Sequence, residues 1–230
     1  MFDITLQMGT AFMLAGPSSC GKSTFVKNLI THRNAMFNRT IENVYIVCAN
    51  AQSIYENLVQ SGDVKEIYRQ MPSKNEIIEI AQIGKKQGGT ILILDDILSE
   101  ISKSNTVIQE IFTEIAHHYD LTVVLCVQNL FFQNPIFRTT SLNTKYIAVF
   151  KNPRDTKQIN VIAQRCHAKN PKLITDAYYD ATKMAYGYLF LDFTQETDDF
   201  LRVRTNIFPN ENNESLSTIY LPNDYWHVIQ

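Results

Sequence analysis

The residues Gly16-Pro17-Ser18-Ser19-Cys20-Gly21-Lys22-Ser23-Thr24 bring glycines, a lysine and hydroxyl side chains together in the spacing G-x-x-x-x-G-K-S. That spacing suits phosphate. Glycines let backbone N–H groups wrap an anion, a lysine reaches the β- and γ-phosphates, and a serine hydroxyl ligates Mg²⁺. All of Gly16 to Thr24 are therefore expected to line a nucleotide phosphate site, with Lys22 acting on the reacting phosphate and Ser23 on the metal. A second group is the carboxylate pair Asp95-Asp96. Downstream of a phosphate loop, the first acid at a strand end can join the Mg²⁺ shell and the second can polarise an attacking water. The plainer alternative makes Asp95 a helix cap and Asp96 a solvated turn acid. Gln128, at the end of a later apolar run, is a candidate γ-phosphate sensor or an ordinary strand cap. Arg138 is a candidate arginine finger or a contact to a nucleic-acid phosphate.

These groups need strands to carry them. Thr10-Ala11-Phe12-Met13-Leu14-Ala15 reads as a buried strand and Thr24 to Ile30 as a helix with Phe25, Leu29 and Ile30 inward, so the loop sits at a strand-to-helix turn. Asn43 to Cys48 reads as a second strand, followed by polar Asn50, Gln52 and Ser53. A helical pattern is expected from about 53 to 87, stopped by Gly88-Gly89. Thr90-Ile91-Leu92-Ile93-Leu94 then runs into the two acids, the continuous apolar pattern of a parallel strand covered on both faces. A helix near 104 to 119 ends in His117 and His118, which a helix C-terminus favours without any catalytic role. Leu121 to Val127 is expected to insert between the loop strand and the acid strand, the additional-strand arrangement, with ligand at the carboxyl ends of the strands.

Past this strand, Leu130 to Arg138 carries Phe131, Phe132 and Phe137, best read as packing under a loop. Lys145 to Phe150 is a fifth strand. Pro153 and Asp155 after it suit a first helical turn. Between Lys145 and Lys172 lie Lys145, Lys151, Arg154, Lys157, Arg165, Lys169 and Lys172 against Asp155 alone, either a DNA-facing surface or a solvated helix face. Tyr186 to Phe193 and Phe200 to Ile207 are expected to pair as an edge hairpin. The tail beyond Pro209 is read as loose up to a docking segment around Tyr220 to Val228.

The 230-residue chain is 45% hydrophobic and 19% charged, ordinary for a globular protein, with a formal net charge of -2 that excludes a basic nucleic-acid coat. Cys20, Cys48, Cys126 and Cys166 form no C-x-x-C pair, which argues for a reducing compartment; Cys20 is a space-filling residue or an oxidisable thiol. No membrane span or leader is expected, so the protein reads as intracellular and soluble.

Together Gly16 to Thr24, Ile91 to Asp96, Val127-Gln128-Asn129, and Arg138-Thr139-Thr140-Ser141-Leu142-Asn143 continuing to Phe150-Lys151-Asn152-Pro153-Arg154-Asp155 resemble the genome-packaging ATPases of the FtsK/HerA superfamily. The likeness is to the branch found in Polinton (Maverick) elements, adintoviruses and virophages, and more distantly in poxviruses and giant viruses. The resemblance implies an α/β P-loop NTPase of the additional-strand class with a RecA-like core, a mostly parallel sheet and an extra C-terminal β-hairpin. It covers about residues 8 to 207, giving an ATPase domain at 1–207 and a tail at 208–230 that docks on the domain or on a neighbouring subunit. It also implies ATP and Mg²⁺ as cofactors and double-stranded DNA as the cargo. Expected partners are further copies in a homo-oligomeric ring and capsid or portal-vertex proteins, in the host nucleus, a cytoplasmic virus factory or the virion. Carried over, Lys22 and Ser23 bind phosphate and Mg²⁺, Asp95 binds Mg²⁺, Asp96 is the base, Gln128 the sensor and Arg138 the finger, with Arg154 a second finger candidate. Many members of the superfamily have glutamate where this chain has Asp96. A nucleoside or nucleotide kinase and a nucleotide-switched assembly module are the competing readings; a GTPase is disfavoured because no Asn-Lys-x-Asp motif occurs.

Overall fold

Strands buried on both faces must alternate their side chains between two cores, and these do. In β1 (Ala11–Ala15) Met13 faces one apolar cluster while Phe12 and Leu14 face the other. In β4 (Gly89–Asp95) Leu92 and Leu94 share the first cluster, Ile91 and Ile93 the second. Each fully buried aliphatic chain of this kind contributes about 1.5–3 kcal/mol. The computed structural model describes residues 4–50, 52–97, 106–129, 140, 142–155, 157–166, 170–212, 214 and 216–222, with the side chains of Thr106 and Cys166 excepted.

The remaining elements follow in chain order. Helices α1 (Lys22–Thr31) and α2 (Arg33–Met36) lead to β2 (Ile41–Cys48), α3 (Ser53–Gln60), β3 (Glu66–Tyr68) and α4 (Lys74–Lys86), which precedes β4. After β4 come α5 (Thr106–Glu110), a π-helical segment (Ile111–Ile115) and α6 (Ala116–His118), then β5 (Leu121–Val127) and β6 (Thr144–Phe150). Helices α7 (Lys157–Cys166) and α8 (Pro171–Ala181) follow, and β7 (Tyr188–Asp192), β8 (Val203–Thr205) and β9 (Thr218–Ile219) complete the described chain. The strands form one nine-stranded sheet in the order β3-β2-β4-β5-β1-β6-β7-β8-β9. Pairing is parallel from β3 to β6 and antiparallel from β6 onward. Helices α1 and α3 contribute buried side chains to one face; α4, the π segment, α7 and α8 contribute to the other. This is the α/β P-loop arrangement expected, with β5 inserted between the acid strand β4 and the loop strand β1.

Four expectations need correction. The stretch from 53 to 87 is not one helical run: Gly62, at φ 79, turns the chain after α3, and β3 pairs with β2 before α4 begins. Three residues are too few to display a period, so the strand was invisible. A capping box restarts the helix, with Ser73 accepting from the Glu76 N–H and Glu76 accepting from the Ser73 N–H. Next, the helix ending at His118 carries a π turn in its middle, which periodicity does not report. Pro153 sits in a turn, two residues before the interval that precedes α7, rather than in a first helical turn; Asp155 there accepts from the Lys157 N–H and Gln158 Nε2. Finally, the β7–β8 hairpin forms but is not at the edge, because β9 pairs with β8. Tyr220 continues that contact through its N–H to the Val203 carbonyl and its hydroxyl to Asp180; residues 223–230 lie outside the described part.

The antiparallel extension is pinned by a buried ion pair. Arg204 and Asp192, each 2% exposed at the side chain, meet at 2.7 Å, and the guanidinium lies over the Phe190 ring. Asp192 also accepts from the Thr194 N–H and from the Thr194 and Thr197 hydroxyls. Truncating one partner of such a pair strands the other charge in the core. Arg204→Ala is therefore expected to lower unfolding stability by ~3–5 kcal/mol, read as a fall in the urea midpoint.

Candidate nucleotide site

Strand β1 ends at Ala15, and the chain turns sharply because Gly16 lies against two side chains. A Cβ there would meet Cys20 Sγ and Phe150 Cβ, each at 2.7 Å. The Gly16 N–H is held by the Val127 carbonyl of β5 at 3.1 Å. Pro17, Ser18 and Ser19 form the outer arc, with Ser18 and Ser19 exposed. Ser19 at φ 61 and Gly21 at φ 109 turn the backbone in the left-handed region, and Gly21 is the N-cap of α1 with no side-chain cap. The amides that open α1 thus retain their donors for an anion.

Lys22 folds over this arc, donating from Nζ to the Gly16 carbonyl at 2.7 Å and the Pro17 carbonyl at 2.9 Å. Thr24 is exposed on the first turn of α1. Cys20 is buried, and burial pushes its thiol up despite Lys22 nearby. It fills space beneath the loop.

Ser23 and Asp95 are joined through Gln52, which the sequence marks only as a polar residue after β2. The Ser23 hydroxyl donates to Gln52 Oε1 at 2.9 Å, and Gln52 Nε2 donates to Asp95 Oδ2 at 3.1 Å. Tyr55 donates its hydroxyl to the same carboxylate oxygen at 2.6 Å. Asp95 is 6% exposed, so these donors offset the cost of burying it. Burial foremost, then the neighbouring Cys126 and Asp95, push the Tyr55 hydroxyl far up, which keeps it a donor at any working pH. Oxygen ligands from a hydroxyl and a carboxylate within one amide's reach are what Mg²⁺ takes from a protein when phosphate and water complete its shell. The fit is chemically sound.

Asp96 is exposed at the strand tip with φ 57 and accepts from Asn50 Nδ2 at 2.7 Å. Gln128 is exposed just past the β5 residues paired with Ala15 and Asp95, namely Val127 and Cys126, so it lies between loop and acids. Arg154 is exposed in the turn after β6, at the same carboxyl edge as the loop. Arg138 and the aromatic stretch Leu130 to Phe137 lie outside the described residues, as does Lys169. Of the basic region, Arg154, Lys157 and Lys172 are exposed, while Lys151 donates to the Lys183 carbonyl. In the sequence Asn50 and Gln52 stand only as polar residues after β2 and Tyr55 as part of a helical pattern; their link to the acids comes from the pairing of β2 with β4.

No protein-family model and no curated protein matches the chain. Similar solved structures include the genome packaging NTPase B204 from Sulfolobus turreted icosahedral virus 2 with ATP-gammaS, at TM-score 0.54 and 19% identity over 93% of this chain and 98% of that one. The same protein with AMPPCP gives 0.52 and 17% over the same shares. A KaiC-like protein from Pyrococcus horikoshii OT3 gives 0.50 and 12%, over 93% and 91%. The shared feature is the P-loop NTPase fold. Among the described residues no helix is long and apolar enough to cross a membrane.

Two outcomes follow. Tyr55→Phe removes a donor to a buried carboxylate and should cost ~1.5–3 kcal/mol in chemical denaturation. Because its pKa is raised, Cys20 should be mostly protonated at neutral pH and alkylate more slowly than a free cysteine, with the rate climbing as pH rises; peptide mass spectrometry after timed iodoacetamide treatment reads this.

Proposed function

We propose that this chain is an ATP-hydrolysing motor that translocates double-stranded DNA into a viral or virus-like capsid. The observation that carries the reading is the linkage of Ser23 to Asp95 through Gln52 beside an open phosphate loop, at the carboxyl edge of a β4-β5-β1 sheet. The shape likeness to a viral genome packaging NTPase supports the direction of the inference.

In this reading Gly16 to Gly21 present amides to the phosphates and Thr24 flanks them on α1. Lys22 exchanges its carbonyl partners for the β- and γ-phosphate oxygens. Ser23 and Asp95 hold Mg²⁺, which when bound offsets charge on those phosphates. Asp96, restrained on one oxygen by Asn50, accepts the proton of the attacking water. Gln128 orients that water or reports loss of the γ-phosphate. An arginine from a neighbouring copy, Arg138 or Arg154, completes the site, so hydrolysis depends on assembly into a ring. Exposed Arg154, Lys157 and Lys172 form part of the surface that meets the DNA backbone. Residues 1–207 constitute the ATPase domain and 208–230 its tail, and the capsid or portal vertex is the docking partner.

Steady-state ATP hydrolysis measured with and without long double-stranded DNA, across a range of protein concentrations, tests the proposal. Turnover should rise with DNA and steepen with protein concentration, since an arginine supplied in trans is worth ~10³ to 10⁵ in rate. Lys22→Ala should abolish it. Turnover indifferent to DNA and to concentration would overturn the motor reading, and dependence on a small phosphate acceptor would replace it with a kinase.

A further inference from the structure

Beside the phosphate loop lies a cavity of about 320 Å³ whose walls are aromatic. Its lining includes Gly21 and Thr24 from the loop and α1, Asn28 one turn further along α1, Phe150 at the end of β6, and Tyr186 and Phe208. The floor is rigid. Phe25 meets Phe150, Tyr188 and Phe208 edge-on, at centroid distances of 5.9, 5.0 and 4.8 Å. The Tyr188 hydroxyl is already engaged, accepting from the Ile207 N–H.

Tyr186 is different from that floor. It is 68% exposed, and it stands at φ 63, a left-handed conformation that is costly for a bulky residue. Its placement is enforced on both sides. Gly187 beside it lies so close to α8 that a Cβ would approach the Ala181 carbonyl oxygen to 2.3 Å, and the Gly187 carbonyl accepts from the Lys151 N–H. On the other side, a Cβ at Gly21 would sit 3.3 Å from Tyr186 Cβ, so the tyrosine leans on the phosphate loop itself. Beyond its lean on Gly21 the side chain is mostly exposed, so a strained backbone holds an open ring at the cavity beside the residue that caps α1.

We infer that this cavity is the nucleobase subsite of the nucleotide whose phosphates lie on Gly16 to Thr24, with Tyr186 stacking on a purine and Asn28 reading its edge. The inference rests on the phosphate-loop reading above and adds to it the residues that would select the base. Asn28 is half-buried, and its side-chain amide makes no hydrogen bond to another described residue. The asparagine amide sets an NH2 donor group beside a carbonyl acceptor, which match the N7 acceptor and N6 donor of adenine together; guanine presents two acceptors on that edge and leaves the carbonyl unmatched. Stacking favours the larger purine face over a pyrimidine. The subsite should therefore rank ATP above GTP, and GTP above CTP.

The test is competition binding against a fluorescent ATP analogue in Mg²⁺, using ATP, GTP, CTP and inorganic tripolyphosphate, which carries the phosphates without a base. Tyr186→Gly removes the ring while keeping the left-handed backbone unstrained, so it should fold. It is expected to weaken ATP roughly tenfold and leave tripolyphosphate unchanged. Tyr186→Phe should bind ATP like the parent protein, and Asn28→Ala should narrow the gap between ATP and GTP. Equal effects of Tyr186→Gly on ATP and tripolyphosphate, or none on either, would overturn the base subsite and leave the phosphate loop standing. Failure of the parent protein to bind ATP or tripolyphosphate would overturn both.

Discussion

A carboxylate buried at the end of an apolar strand must be given donors by something nearby, and Asp95 sets that demand for the whole carboxyl edge of the sheet. Branched side chains drive β4 into the centre of the molecule and carry the acid with them. The donors come from the segment after β2, because parallel pairing lays Cys48 beside Asp95 and delivers Gln52 and Tyr55 to the same place. Through Gln52 the demand extends to Ser23, and so to the phosphate loop. Strand order, loop and acid are thus one electrostatic problem with a single solution.

The opposite side of the loop is governed by contact rather than charge. Gly16 admits Cys20 and Phe150 into a space that any side chain would close, which packs the loop on β6 while the Val127 hydrogen bond ties it to β5. Phe150 also meets Phe25 and Tyr188, so the packing runs from the loop into the antiparallel extension that Arg204 and Asp192 secure. The turn after β1 is thus braced from two sides, by β5 through a hydrogen bond and by β6 through packing.

What the sequence made legible was the part carried by local spacing. The loop and the apolar strands follow from runs of residues whose period or punctuation is unmistakable, whereas the insertion of β5 is expected from the additional-strand class that the loop and the acid pair suggest. The strand β3 was hidden because Glu66-Ile67-Tyr68 is too short to have a period. Gln52 and Tyr55 were hidden for another reason: their importance lies in what stands across the sheet, and a polar residue after a strand looks like any turn. Tyr186 reads as the start of a strand by its neighbours, while its left-handed backbone is dictated by the fit of Gly187 against α8, a contact no linear pattern contains.

The two outermost described strands, β3 and β9, are three and two residues long. So short a ladder gives an approaching strand almost nothing to pair with, and the sheet resists growing sideways into its surroundings. Any neighbour must then be met through helices, turns and side chains. Contacts of that kind form and break without unzipping a strand, so the sheet itself stays intact whatever docks on its surroundings.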